Sequence, residues 1–104
     1  MALRLSIEKF QESIQQGEIP GGLSESLQAL WYEAKGQVDK ANRLVKSDGG
    51  TQSLRVQAYL ARKRGAEVEA LEYYTQAGCD PCRLSCEKEW ETLVMSFLRG
   101  ISIS

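Results

Sequence analysis

Residues 58–78 of this 104-residue chain read AYLARKRGAEVEALEYYTQAG, and the residues on the two sides of Gly65 predict a pair of helices joined by a tight turn. Apolar residues recur on each side at spacings of three and four, as they do along one face of a helix. Glycine readily takes the left-handed conformation in which many helices end. The stretch therefore predicts an antiparallel helical hairpin.

An earlier part of the chain repeats this pattern. Gly36 and Gly65 are each followed, after four intervening residues, by an alanine, Ala41 or Ala70. A small residue at this point allows the two helices of a hairpin to approach closely. The sequence therefore predicts two successive hairpins of similar geometry, and we call the interval from Gly36 to Gly65 the repeat interval.

Helical spacing of apolar residues extends over most of the chain, with no period-two pattern typical of strands. The predicted helices carry stripes from Leu3 to Ile14, ended by Gly17; from Leu23 to Ala34, with Ser24 as N-cap; from Val38 to Val45; from Leu54 to Ala61, with Thr51 as N-cap; from Ala70 to Ala77; and from Trp90 to Leu98. The last helix is expected to begin near Ser85 and to pack across the open end of the preceding hairpin. We thus predict a single all-α domain over residues 1–104, with about six helices in antiparallel hairpins.

The hairpins resemble tetratricopeptide (TPR) repeats, in which a glycine permits the turn between helices A and B. Gly65 to Ala77 resembles the second half of that repeat. The copy that begins at Gly36 lacks the later alanine, and the repeat interval is shorter than the usual ~34 residues. The resemblance implies a degenerate, TPR-like α-solenoid fragment.

From about Leu27 to Leu98 the chain also resembles a family of small uncharacterised helical proteins. Members carry A-Y/I-L-H-R-K/R-E-G-D followed by N-A-x-Y-W-Y/F-R-R-A-G. Segments 58–66 and 69–78 correspond to these motifs with the same spacing and no gap, and residues 87–91 resemble an acidic stretch around a tryptophan. In place of the family's histidine and paired arginines the chain has Ala61, Thr75 and Gln76. The resemblance implies a fold and brings no activity with it.

Composition argues against several classes of function. Thirteen basic and fourteen acidic residues nearly cancel, so no overall field favours nucleic acid. The chain has no histidine, the side chain most used for acid–base catalysis near neutral pH. No apolar run approaches the ~20 residues of a membrane span, and the first residues do not resemble a signal peptide. We therefore expect a cytoplasmic protein that is not an enzyme, needs no cofactor, and binds neither nucleic acid nor membranes.

Four polar side chains of the fourth predicted helix are candidates for partner binding: Arg55, Tyr59, Arg62 and Lys63. They share one face, opposite Ala58 and Ala61. In the TPR repeats that the chain resembles, this helix lines a concave groove, where such side chains could hold an acidic peptide by charge-assisted hydrogen bonds. We expect a protein-interaction module or assembly factor whose partner is another protein or peptide, and an exposed apolar end would allow a homodimer. The alternative is a solvated face whose cations favour the C-terminal end of the helix.

Three cysteines give a different hypothesis, because Cys79 and Cys82 have the C-x-x-C spacing of zinc sites and dithiols, and Cys86 follows. Zinc needs four ligands, and the fourth would have to be a carboxylate such as Glu87, or water. A small metal- or redox-responsive protein is therefore the alternative function. Thiols that pack in a loop beneath the last helix account for the same residues without any metal.

Overall fold

The structure, a computed structural model, describes the backbone of residues 5–103 and the side chains of residues 5–99. This range contains no strand and six helices: α1 (Ile7–Gln16), α2 (Glu25–Ala34), α3 (Val38–Asp48), α4 (Thr51–Lys63), α5 (Glu67–Ala77) and α6 (Cys86–Ile103). The prediction of an all-helical fold with about six helices is confirmed for the described residues. Leu3, which opens the first predicted stripe, lies outside them.

Most helix ends have the caps that the sequence predicts. Ser24 caps α2 by accepting the backbone N–H three residues on, at 3.2 Å, and Gly17 ends α1 in the left-handed conformation. Ser85 accepts the N–H of Lys88 at the start of α6, also at 3.2 Å. The prediction for Thr51 is wrong, because α4 begins one residue earlier than expected: Gly50 is the N-cap, and Thr51 is the first helical residue.

The helices α2 and α3 form one hairpin and α4 and α5 form a second, with closely matching turns. Gly36 and Gly65 both have φ 84°, and in each turn the residue after the glycine donates its N–H, at 2.9 Å, to the carbonyl five residues earlier. Gly49 and Gly78, separated by the same repeat interval, end the second helices with φ of 72° and 73°. The sequence repeat is therefore also a repeat of backbone conformation.

The last helix packs differently from the expectation. Instead of covering only the end of the second hairpin, α6 lies against α1, α2 and α4, and so contacts the first helix of both hairpins. Its apolar stripe, with Leu93 and Phe97 almost fully buried, joins α1, α2, α3 and α4 in the main core. Apolar residues of α2 and α4, such as Leu30 and Val56, belong to the same core. Contact with both hairpins buries more of the apolar surface of α6 than contact with one of them.

A second, smaller cluster lies between α4 and α5. It consists of Ala58, Ala61, Ala70 and Tyr74, all with less than 5% of their surface exposed. The alanines allow the two helices to lie close together, as expected from the repeat of glycine and alanine. The hairpins are thus joined by the main core, and the second hairpin has an additional core of its own.

The turn assignment leads to a first testable prediction, for Gly65→Ala. A Cβ at this position would meet no atom within 4 Å, so the cost arises only from the positive φ. We expect the free energy of unfolding to fall by about 1–2 kcal/mol in urea denaturation. Gly21→Ala is a matched control, because a Cβ at Gly21 would also meet no atom within 4 Å and the φ of Gly21 is not positive. Equal effects of the two substitutions would contradict the strain at the turn.

Candidate functional site

Two carboxylates lie inside the protein where α2, α4 and α6 meet. Glu33 in α2 is 4% exposed and Glu89 in α6 is 3% exposed. A buried carboxylate costs several kcal/mol unless it is paired and hydrogen-bonded. Helix α4 supplies a cation to each of them from two consecutive positions, Arg62 and Lys63.

Glu89 receives hydrogen bonds on both of its carboxylate oxygens. Arg62 Nη1 donates to Glu89 Oε1 at 2.8 Å, and the hydroxyl of Tyr74 donates to Oε2. The other terminal nitrogen of Arg62 donates to the carbonyl of Leu84, in the connection that leads into α6. The hydrogen bond to Glu89 raises the pKa of Arg62, and burial, followed by the hydrogen bond to Glu89, raises the pKa of Tyr74. The guanidinium thus fixes the start of α6 against α4.

Glu33 is held by the same combination of groups. The hydroxyl of Tyr59 donates to Glu33 Oε1 at 3.0 Å, and the ammonium of Lys63 forms an ion pair with Oε2. Burial, followed by the charge of Glu33, raises the pKa of Tyr59. Each buried carboxylate therefore has one phenol and one cation. We refer to Glu33, Tyr59, Arg62, Lys63, Tyr74 and Glu89 together as the carboxylate network.

The four residues predicted to line an open groove occupy different environments. Tyr59 is only 2% exposed, so the expectation that it is available to a partner is wrong. Arg62 is mostly covered, Lys63 has about half of its side chain exposed, and the guanidinium carbon of Arg55 lies 6.0 Å from the ring centre of Phe97. The physical reason is that α2 and α6 cover this face of α4, whose opposite face is buried against α5.

Sequence reasoning missed Glu33, Tyr74 and Glu89 as members of a site. One signal was available for Glu89, which precedes Leu93 by four positions and therefore lies on the apolar side of α6. For Glu33, the signal was its position one repeat interval before Arg62, which places opposite charges at equivalent points of the two hairpins. A charge on an apolar face indicates a buried partner, which the sequence does not identify.

An open pocket of about 460 Å³ lies next to the network, where α1, α2, α4 and α6 meet. We call it the four-helix pocket; its lining includes Glu33, Lys63, Cys86, Glu87, Trp90 and Glu91. A larger groove of about 800 Å³ separates α3 from α5 and is lined mainly by polar side chains. The four-helix pocket combines an aromatic wall with convergent polar groups, the usual character of a binding site.

The three cysteines are divided between the two clusters of the interior. Cys79 and Cys82 pack against the small cluster between α4 and α5, and Cys86 packs against the main core. All three are free thiols. In the part of the chain that the structure describes, no three cysteine or acidic side chains are grouped so that they could hold a metal ion.

Among residues 5–103, no helix is both long and apolar enough to cross a membrane. No family model, curated protein or solved structure matches the chain.

The exposed end of the network gives a second prediction, for Lys63→Glu. The new carboxylate would lie beside buried Glu33, which would keep only Tyr59 as a donor. Because Lys63 is half exposed, we expect a moderate loss of about 1–2 kcal/mol in the free energy of unfolding. Lys9→Glu reverses an exposed charge in the first turn of α1 and should change stability by less than about 0.5 kcal/mol. Equal stability of the two variants would show that Lys63 does not compensate Glu33.

Proposed function

We propose that this chain is a TPR-like protein-interaction module, or assembly factor, that binds a partner protein at the surface where α2, α4 and α6 meet. Two hairpins with matching turns, one repeat interval apart, support the TPR-like part of the proposal. The repeat is a structural unit that stacks on its neighbours, and its surfaces serve mainly to bind other proteins.

One observation carries the proposal: the way in which α6 is bound by the two hairpins. Arg62 holds Glu89, which belongs to the acidic stretch at residues 87–91. The sequence predicts that cations of α4 bind an acidic partner, and in the structure the acidic residue comes from α6 of the same chain. Helix α4 therefore holds the acidic start of α6 by a charge-assisted hydrogen bond, which shows the kind of contact that joins helices at this surface.

Occupation by α6 determines where a partner can bind. The stripe of α6 is part of the main core, so displacement of this helix would expose residues such as Leu93 and Phe97 to water. A partner is therefore expected at the rim that α6 leaves open. The four-helix pocket lies at this rim.

The proposal is tested by capture from an extract of the native host. The chain is immobilised through a terminal tag, and captured proteins are compared with and without an excess of the free chain. We expect at least one protein to be reproducibly displaced by the free chain and to form a stoichiometric complex with it after separate purification. If no captured protein is displaced, or none binds as a purified component, the interaction proposal is wrong.

A further inference from the structure

The four-helix pocket has an apolar wall and an acidic rim. Ala34 of α2 and Trp90 of α6 provide the apolar surface, and Glu87 and Glu91 lie beside them on α6. These two glutamates are four residues apart and thus neighbours on the same helix face, and Trp90, three residues after Glu87, lies beside them. Helix α6 therefore presents the acidic rim and the Trp90 part of the wall together, and α2 completes the wall with Ala34.

The charge left uncompensated at this pocket is negative. Inside it, the ammonium of Lys63 is paired with the carboxylate of Glu33, so these two charges balance. At the rim, Lys88 Nζ lies 3.9 Å from Glu91 Oε2 and offsets at most one further carboxylate, so the three glutamates of the lining, Glu33, Glu87 and Glu91, outnumber these two cations. Like charges four residues apart on a helix repel each other and destabilise it slightly. A cation placed between Glu87 and Glu91 would remove this repulsion.

We infer that the four-helix pocket binds the side chain of an arginine or lysine from a partner protein. Such a side chain has an apolar stem and a cationic head. The stem matches the wall of Ala34 and Trp90, and the head can donate hydrogen bonds to Glu87 and Glu91. The inference rests on the proposed function and adds the chemistry of the partner.

The net charge at the four-helix pocket is negative, whereas the sequence predicts a cationic surface on α4. Arg62 and Lys63 predict an acidic partner only as long as they are unpaired, and in the structure Glu89 and Glu33 already neutralise them. What remains next to them is the negative charge of Glu87 and Glu91, which Lys88 offsets only in part. A partner with an exposed basic side chain is therefore favoured over an acidic one.

The two tryptophans allow a direct test in solution by nuclear magnetic resonance. Trp90 lines the pocket, and its indole N–H donates to the carbonyl of Leu30 at 3.2 Å. The indole of Trp31 donates to the hydroxyl of Ser13 at 3.0 Å, and Trp31 is not among the residues lining the pocket. The Trp90 signal therefore reports on the pocket, and the Trp31 signal reports on the integrity of the fold.

The probes are blocked tripeptides that differ only in the central residue, which is arginine, its neutral analogue citrulline, or glutamate. We expect the arginine peptide to shift the Trp90 signal saturably, with an affinity at least tenfold higher than that of the other two, and the Trp31 signal to stay in place. Added salt should weaken binding of the arginine peptide. Equal shifts with citrulline, or tighter binding of the glutamate peptide, would overturn the inference.

A pair of variants assigns the effect to the acidic rim. Glu87→Gln combined with Glu91→Gln should weaken binding of the arginine peptide at least tenfold, and an unchanged Trp31 signal should show that the fold is intact. Glu67→Gln combined with Glu72→Gln removes the same charge from exposed positions of α5 and should leave binding unchanged. If both double variants weaken binding equally, the effect is due to net charge and the pocket is not the site.

A free polyamine is the other source of such a cation, and spermidine serves as its probe. Tighter binding of spermidine than of the arginine peptide would overturn the assignment to a partner protein. The capture experiment separates this inference from the proposed function. A partner that binds both the unmodified chain and the variant with both Glu87→Gln and Glu91→Gln would refute the pocket and retain the function.

Discussion

Replacement of Glu89 by alanine is expected to lower the free energy of unfolding by about 3–5 kcal/mol, because it breaks a buried ion pair by removal of one partner. The guanidinium of Arg62 would lose its carboxylate, and the hydroxyl of Tyr74 would lose its acceptor in a site that is only 3% exposed. A domain of this size has about 5–15 kcal/mol of stability in total. The variant should therefore be close to unfolding at room temperature.

Urea denaturation monitored by circular dichroism measures this effect. The matched control is Glu91→Ala on the same helix, where the carboxylate is 44% exposed and its contact with Lys88 is long, so the expected change is below about 1 kcal/mol. Glu89→Leu combined with Arg62→Met should be more stable than Glu89→Ala, because no buried charge is left without a partner. A loss below about 1 kcal/mol for Glu89→Ala would show that this pair does not fix α6.

The hairpins could be predicted from the sequence because their determinants are local. Gly36 and Gly65 each set the turn through their own positive φ, and the hydrogen bond that closes each turn joins residues only five positions apart. Ala41 and Ala70 are buried next to these turns, as a small residue at a close helix contact must be. Interactions between such near neighbours leave a pattern in the sequence that can be recognised without knowledge of the fold.

The environment of α4 could not be predicted in the same way. Periodicity divides a helix into an apolar face and a polar face, but Ala58 and Tyr59, which lie on different sides of α4, are both buried. Tyr59 belongs to the main core, to which α6 contributes, and α6 begins only at Cys86, after the whole of α5. A tyrosine or an arginine suits an exposed groove and a buried network equally well, so residue type alone does not distinguish them.

The pairing of the charged residues in the site could not be predicted from the sequence either. Arg62 and Lys63 are adjacent in sequence and suggest one cationic surface, yet they pair with carboxylates from two different helices. Their partners are distant from them in the sequence: Glu33 precedes α4, and Glu89 follows it. The sign of the accessible surface thus depends on which charges the fold neutralises, and this is a property of the tertiary structure.

The two buried phenols of the network should make the protein unstable at alkaline pH. Tyr59 and Tyr74 are 2% and 3% exposed, and the pKa of each is raised above the value of ~10 that tyrosine has in an unfolded chain. Above that pH the unfolded state loses these protons and the folded state keeps them. The resulting stabilisation is complete below pH ~10 and is lost as the pH rises towards the folded-state pKa.

The expected loss between pH ~10 and pH ~12 is up to about 1.4 kcal/mol per pH unit for each of the two tyrosines. The contribution of each phenol is measured as the difference in urea denaturation between the unmodified chain and a variant that lacks the phenol. Tyr59→Phe should be less stable than the unmodified chain at neutral pH, because Glu33 loses a donor, but its stability should fall less steeply above pH ~10. Tyr74→Phe should show the same two effects, because Glu89 loses a donor.

The ultraviolet absorbance of tyrosinate provides a second measurement. Of the four tyrosines in the chain, Tyr59 and Tyr74 should ionise only as the protein unfolds. Ionisation of all four before unfolding, or equal slopes in the unmodified chain and both variants, would show that the two phenols do not donate to buried carboxylates.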